Sequence, residues 1–326
     1  MKRREFIAFL GGMALAAPRE TIAQTSKIFR VGTLTVGPPI APTAGTGEML
    51  IAGLAQRGYT LGQNLAYEAR GAAGKVGQMP NLMQELKAAN VDVVVTVSYP
   101  AAAVAKASGV PTVIASGSGD PVKTGLVTSL ARPGGNVTGI SDDAAALSTK
   151  RLGLLKAMSP QLRKVAMLWN KDDLGMSQRY DASAQAAQEL GVTVLPLGVR
   201  EPGDFNEAFA AMDRDPPDAI LMVTDSLTLL NRKRVFDYAA QHRLPAIYEQ
   251  DFMARDGGLM SYGADAKESF DRAAALTAHI FQGAKPADLP FEIPTRYLFV
   301  INMKTAKAMN LTIPNTLLAT ADEAIE

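Results

Sequence analysis

Two successive runs of short, uninterrupted apolar segments, each followed by a helical pattern, constrain this chain more than any other feature. The first run holds "FRVGTLTVG" (residues 29–37), "NLAYEAR" (64–70), "DVVVTVS" (92–98), "PTVIAS" (111–116) and "VTGIS" (137–141). Helical patterns lie between them at 48–57 and 79–89, the latter carrying Met79, Leu82, Met83 and Leu86 on one face. The rhythm restarts with a helix at 147–158. Strands follow at 164–170, 192–198, 219–225, 245–250 and 257–263, with helices at 178–190, 205–212 and 232–241. Strands rich in Val and Ile without polar alternation are buried on both faces, which implies parallel sheets covered by helices. The reading is therefore α/β, with two doubly wound parallel-sheet lobes. A helix at 267–282, a Pro-rich turn at 283–294 and a strand entering a helix at 296–306 complete the sheets. Lobe one is assigned 29–141 plus 263–294, and lobe two 142–262 plus 295–326. The junction near 140–143 is too short for a linker and implies direct crossings between lobes.

The N-terminus "MKRREFIAFLGGMALAAPRETIAQ" has a basic start, an apolar stretch over 6–17 and small residues leading to Ala23. Residues 1–23 read as an export signal. As a helix, about 12 apolar residues reach about 18 Å, too short for a hydrocarbon core of roughly 30 Å. The run Arg3-Arg4-Glu5-Phe6-Ile7 resembles the twin-arginine signature, with the general export route as the alternative. A periplasmic location is expected. Without residues 1–23 the net charge moves from +1 to −1, so no basic face is indicated and nucleic acid is a poor partner. Cysteine is absent, which excludes disulfides, thiolate metal sites and thiol catalysis. His242 and His279 are the only histidines, so no metal site and no cofactor are expected.

In open parallel sheets, ligands bind beyond the carboxyl ends of the strands. Those ends supply Thr35, the turn Ser98-Tyr99-Pro100-Ala101, and Ser116 with Asp120 in lobe one. Lobe two supplies Trp169, Asn170, Asp225, Tyr248 and Tyr262. If the lobes face each other, these loops converge on one central cleft. Ser98 before a helix start either binds an anion or simply caps the helix. The glycines around Asp120 allow close backbone approach or merely form a turn. Asp225 ends an apolar strand and needs a partner, which a ligand ammonium, Arg232 or the next helix N-terminus could provide. Trp169 is core or ligand wall, and Tyr99, Tyr248 and Tyr262 could line an aromatic pocket. No nucleophile elbow, zinc-protease motif, phosphate loop or Ser/His/Asp set is present, so an enzyme is not expected.

Three stretches carry a family likeness: "GDPVKTGLVTSLARPGGNVTGIS" (119–141), "KRLGLLKAMSP" (150–160) and "VINMKTAKAMNLTIPNTLLATADEAIE" (300–326). They resemble the ABC-transporter solute-binding proteins of the tryptophan/tyrosine type. The resemblance implies a type I periplasmic-binding-protein fold with a hinge of several crossings and closure on a small ligand. It implies partnership with a membrane permease and its ATPase, and a monomeric binder. Aromatic amino acids are the implied ligands, with the carboxylate at the Ser98–Ala101 turn and the ammonium at Asp225. Where relatives often read Gly-Thr-Pro-Ala, this chain reads Ser98-Tyr99-Pro100-Ala101. The alternatives are an aliphatic or other apolar amino acid, an aromatic acid lacking an amine, a sensor feeding a membrane receptor, or an exported enzyme with a Rossmann-like cleft, for which the sequence shows no cofactor site.

Overall fold

The computed structural model describes residues 27–141 and 144–326; the segment read as an export signal lies outside them. The first sheet and its helices follow the order β1 (Phe29–Thr35), α1 (Gly45–Gln56), β2 (Leu65–Gly71), α2 (Met79–Ala88), β3 (Val93–Val97), α3 (Tyr99–Ser108), β4 (Thr112–Ser116) and β5 (Val137–Gly139). Next come α4 (Ala144–Met158), β6 (Lys164–Asn170), α5 (Leu174–Glu189), β7 (Thr193–Val199), α6 (Asp204–Arg214) and β8 (Ala219–Met222). They lead to α7 (Ser226–Leu230), α8 (Arg232–His242), β9 (Ala246–Tyr248), α9 (Asp251–Arg255), β10 (Met260–Ala264) and α10 (Ala266–Phe281). The chain ends in β11 (Tyr297–Asn302), α11 (Met303–Ala308), α12 (Asn315–Leu318) and β12 (Glu323–Ile325).

The first sheet has the order β2-β1-β3-β4-β5 and is parallel throughout. Its central strand shows why polar alternation is missing. Val93 and Val95 enter a core shared with Leu50 and Leu54 of α1 and with Phe270, Ala273 and Ala274 of α10. Val94 faces the other way, among Met79, Met83 and Leu86 of α2 and Ala101 and Ala105 of α3. Both faces of the strand are buried, so four of its five positions are valine and only Thr96 is polar.

The second sheet, β12-β11-β10-β9-β8-β6-β7, is covered in the same manner. Leu152 and Leu155 of α4 and Met176 and Ala186 of α5 form one core, and Phe205, Met212 and Val235 of α6 and α8 the other. One pairing departs from an all-parallel reading, because β10 and β11 run antiparallel. The reason is the chain path. After β10 the chain crosses to the first sheet, where α10 packs and the Thr138 hydroxyl donates to the Leu289 carbonyl at 2.8 Å. Ile140 also bridges Glu292 there before the chain returns. Tyr297, the first residue of β11, pairs with Ala264, the last of β10. A strand that re-enters at the end where its neighbour left must run backwards. Gly263 and Ala264 stay in the second sheet, so this crossing falls at Asp265.

Candidate functional site

Each sheet reverses its winding at one point, between β1 and β3 in the first and between β6 and β8 in the second. Residues at the carboxyl ends of β1, β3 and β8 line a cavity of about 490 Å³, reached from both lobes and also lined by Ile140 and Pro294 near the crossings and by Ala264 at the end of β10.

On the lobe-one wall Thr35, Ser98 and Ser116 line the cavity. The Thr35 hydroxyl accepts from the Gly37 N–H at 3.1 Å and so serves the turn that follows β1. Ser98 is the unusual residue. Its backbone has φ +84°, the left-handed region a serine rarely adopts, at a cost of about 1–3 kcal/mol. Its N–H donates to the Ser116 carbonyl at 3.0 Å, which pins that geometry. The side chain makes no capping bond to α3, and Oγ is buried with no partner among the described residues. The plain capping role is therefore not what this serine does. Pro100 in the first turn lacks an N–H, leaving Tyr99 and Ala101 as donors at the positive end of α3, beside the unused hydroxyl. An anion fits that arrangement.

The lobe-two wall is more densely charged. Asp225 lines the cavity and caps α7, the nearest of the partners open to it; Arg232 pairs instead with Asp256 at 2.9 Å. Its Oδ1 accepts from the Thr228 N–H at 2.9 Å, and its Oδ2 from the Asn170 Nδ2 at 2.6 Å. It forms no ion pair with any described residue. Behind it lies a buried hub absent from the sequence reading. Glu249, 2% exposed, accepts from Arg151 at 2.9 Å, from Arg179 at 2.5 Å and from the Thr224 N–H at 3.0 Å. Arg151 also donates from Nε to the Tyr262 carbonyl at 2.7 Å, so one carboxylate ties α4, α5, β10 and the segment after β8 together. A usable signal was Arg151 itself, which falls in the apolar stripe of α4 with Leu147, Leu154 and Met158. A cation there demands a buried carboxylate.

Helix α5 starts at Leu174, four residues before the sequence-predicted start at 178, and Asp173 caps it, accepting from the Gly175 and Met176 N–H groups at 2.9 and 3.3 Å. Burial, aided by the Asp225 charge, pushes its carboxyl up to about 7 against those two N–H groups and Arg179. The folded form then holds a proton between about pH 4 and 7 that the unfolded chain has released. This group's contribution to stability must fall as pH rises through that window. Asp173→Asn keeps the cap acceptor and removes the charge. It is expected to flatten the decline and to be more stable than the parent at pH 8 by on the order of a few kcal/mol. Urea unfolding of both proteins at pH 4.5 and 8 checks this, and a constant stability difference at the two pH values rejects it.

Several sequence-predicted residues lie elsewhere. Tyr248 is 1% exposed in the core of α6 and α8, with its ring edge-on to Phe236 at 5.0 Å. Trp169 stacks on Tyr180 at 3.6 Å against the α4–α5 core, and Tyr262 packs into that same core and beside Tyr297. Tyr99 packs on the cluster of Leu126, Val127 and Phe291, and Ala101, within α3, is wholly buried in the core with Leu34, Met83 and Val94. Pro100 serves only as a first-turn residue of α3. Asn170 reaches the site indirectly, through Asp225. The apolar lining comes instead from residues such as Ile40, Leu147, Met176, Leu229, Phe252 and Phe270.

Asp120 sits at the rim, not in the cavity. Its carboxylate accepts from the Val122 and Lys123 N–H groups and forms a turn. Its own N–H crosses the cleft to the Gln178 Oε1 at 3.1 Å. Beside this bond, Gly119 of lobe one and Gly175 of lobe two touch so closely that a Cβ on Gly175 would lie 2.9 Å from the Ser118 carbonyl oxygen. The lobes are thus in contact at the rim.

Comparison with known proteins is consistent with this geometry. Residues 45–325 match the family model described as ABC transporter substrate binding protein. The chain belongs to that family. A tyrosine-binding protein of Clostridioides difficile is 25% identical to this substrate-binding protein over 80% of its chain and 75% of the relative. The ABC domain in complex with L-Trp from Streptococcus pneumonia is 25% identical, with a TM-score of 0.82 over 91% of this chain and 99% of that one. A conserved domain protein from Vibrio cholerae superposes with a TM-score of 0.84 at 24% identity, over 91% and 100% of the two chains. The fold of this substrate-binding protein is that of type I periplasmic binding proteins, which other solute-binding and regulator structures share. Members capture small molecules outside the cytoplasm for ABC transporters. No helix among the described residues is long and apolar enough to cross a membrane.

Proposed function

We propose that this protein captures an L-aromatic amino acid for an ABC importer, without making or breaking a bond in it. The observation that carries the reading is the pair of opposed groups across one cavity. Ser98 Oγ, buried and without a partner at the positive end of α3, faces a ligand carboxylate; Asp225, a carboxylate without a cation, faces an ammonium. The relatives that bind tyrosine and tryptophan support an aromatic side chain, for which Phe252, Phe270 and the aliphatic lining supply the contact surface. The cavity has the size usual for small-molecule pockets. Residues 1–23 would serve export to the periplasm, with the twin-arginine route suggested by Arg3 and Arg4, and the mature protein would act as a monomer.

One observation favours an amine-free aromatic acid. The Asp225 carboxylate already caps α7 and holds Asn170, so it has structural work without any ammonium. Asp225→Asn separates the two readings, because asparagine keeps the capping acceptor and loses the charge. Calorimetric titration with L-tryptophan and L-tyrosine is expected to show affinity falling roughly 10- to 100-fold, with the melting temperature of the free protein little changed. Unchanged affinity for these ligands in the variant would sink the amino-acid reading.

A further inference from the structure

Four hydroxyls are buried without a hydrogen-bond partner among the described residues: Thr96, Ser98, Thr224 and Ser261. Thr96 and Ser261 sit inside strands β3 and β10, away from the cavity. Ser98 and Thr224 line it, one from each lobe. Ser98 belongs to the carboxylate side described above. Thr224 has no such assignment, although it directly precedes Asp225.

The Thr224 hydroxyl is not idle for want of order. The residue's N–H is fixed on the Glu249 Oε2 at 3.0 Å, and Glu249 is itself held by Arg151 and Arg179. Asp225, the next residue, is anchored at both carboxylate oxygens. Thr224 lines the cavity with its N–H fixed, and its hydroxyl oxygen, shielded from solvent, has no partner among the described residues, at a free-energy cost that an apolar side chain of the same shape would not carry. A cost of that kind is recovered when a ligand donates to the oxygen. The neighbouring Asp225 charge sets which donor is favoured, namely a cation.

We infer that Thr224 is a specificity-determining residue, whose hydroxyl accepts a hydrogen bond from the ligand's ammonium beside Asp225 and so helps to distinguish amino acids from amine-free acids of the same shape. The inference rests on the amino-acid reading above. Thr224→Val is nearly isosteric and keeps the β-branched shape while deleting the acceptor. Thr224→Ser retains the acceptor, and Thr224→Ala deletes it with a smaller side chain should the valine variant fold poorly.

The test compares L-tryptophan with 3-(indol-3-yl)propanoate, which lacks only the ammonium, by calorimetric titration of each mature protein. The expected result is a preference for L-tryptophan in the parent that narrows roughly 10- to 100-fold in Thr224→Val and Thr224→Ala. Binding of the amine-free acid stays unchanged, and Thr224→Ser keeps the parental preference. The free Thr224→Val protein should melt at or above the parental temperature, a sign opposite to that of a structural hydrogen bond. A parental preference retained in full by both hydroxyl-deleting variants overturns the role of Thr224 alone. A parent with no preference for L-tryptophan overturns the amino-acid reading and this assignment with it.

Discussion

Replacing Glu249 by alanine is expected to lower unfolding stability by about 3–5 kcal/mol, the range for breaking a buried ion pair. Glu249 is 2% exposed, and its two guanidinium partners have side chains only 4% and 9% exposed. Without the carboxylate, two cations stay in a low-dielectric interior with the counterion they share gone, and the Thr224 N–H loses its acceptor. The attraction within the triad need not be large for this to hold, because the penalty comes from what is left behind. Ligand binding should fail as well, since Glu249, Arg151 and Arg179 all line the cavity and hold Thr224 and Asp225 in place. Urea unfolding, with the midpoint and slope compared between variant and parent, measures the effect. A loss below about 1 kcal/mol, the scale of a surface pair, would show that the hub is not desolvated as described.

Gly175→Ala is expected to weaken ligand binding roughly 5- to 150-fold while leaving each lobe intact. Gly175 lies in the first turn of α5, in a helical conformation that alanine adopts readily. The obstacle is across the cleft. The added Cβ would lie 2.9 Å from the Ser118 carbonyl oxygen, 3.0 Å from its carbon and 3.1 Å from the Gly119 nitrogen. All three are backbone atoms, so no side chain can swing aside, and the lobes must part. Parting them breaks the bond from the Asp120 N–H to Gln178 and opens the cavity to water. Small-angle scattering should show a larger radius of gyration for the ligand-saturated variant than for the saturated parent, with unfolding little altered. Wild-type affinity together with a fully compact liganded form would reject the rim contact as a determinant of closure.

The contrast between elements and site residues has a physical basis. Strands such as β3 and β6 were legible because burial on both faces leaves runs that are almost wholly apolar, such as Val93–Val95 and Val165–Leu168, and a run of that kind has few other uses. The segment 164–170 is a strand over the whole length read from sequence. Short helices escaped notice. At five residues, α7 and α9 have too few turns for any periodicity to emerge, and both are set by what they pack against.

At the strand ends the difficulty was alternation. Consecutive residues there point to opposite faces, so a shift of one position exchanges core for cavity. Tyr248 went into the core and Glu249 to the cavity; Trp169 stacked on α5 while Asn170 reached Asp225. Aromatic rings at such positions were read as ligand walls, but their large apolar area is better buried beneath helices. Strand-end residues that do line the cavity include Thr35, Ser98, Ser116, Asp225 and Glu249, each with a hydroxyl or a charge, while its apolar surface comes from neighbouring elements through residues such as Phe252 and Phe270.

By itself, then, the sequence determined that this chain makes two helix-covered sheets, that Ser98 and Asp225 stand at strand ends, and that no thiol or paired histidine is present for catalysis or metal binding. Those properties follow from local pattern and composition. Only the tertiary structure decided that Ser98 leaves its hydroxyl unused at φ +84°, that Arg151, Arg179 and Glu249 meet, and that Thr224 faces the same cavity as Ser98. These groups stand 28 to 98 residues apart along the chain from Arg151 to Arg179 and Glu249, and nothing local encodes their approach. It arises because both sheets direct their carboxyl ends toward one cleft, and a buried charge is stable only where its counterion has been brought to it.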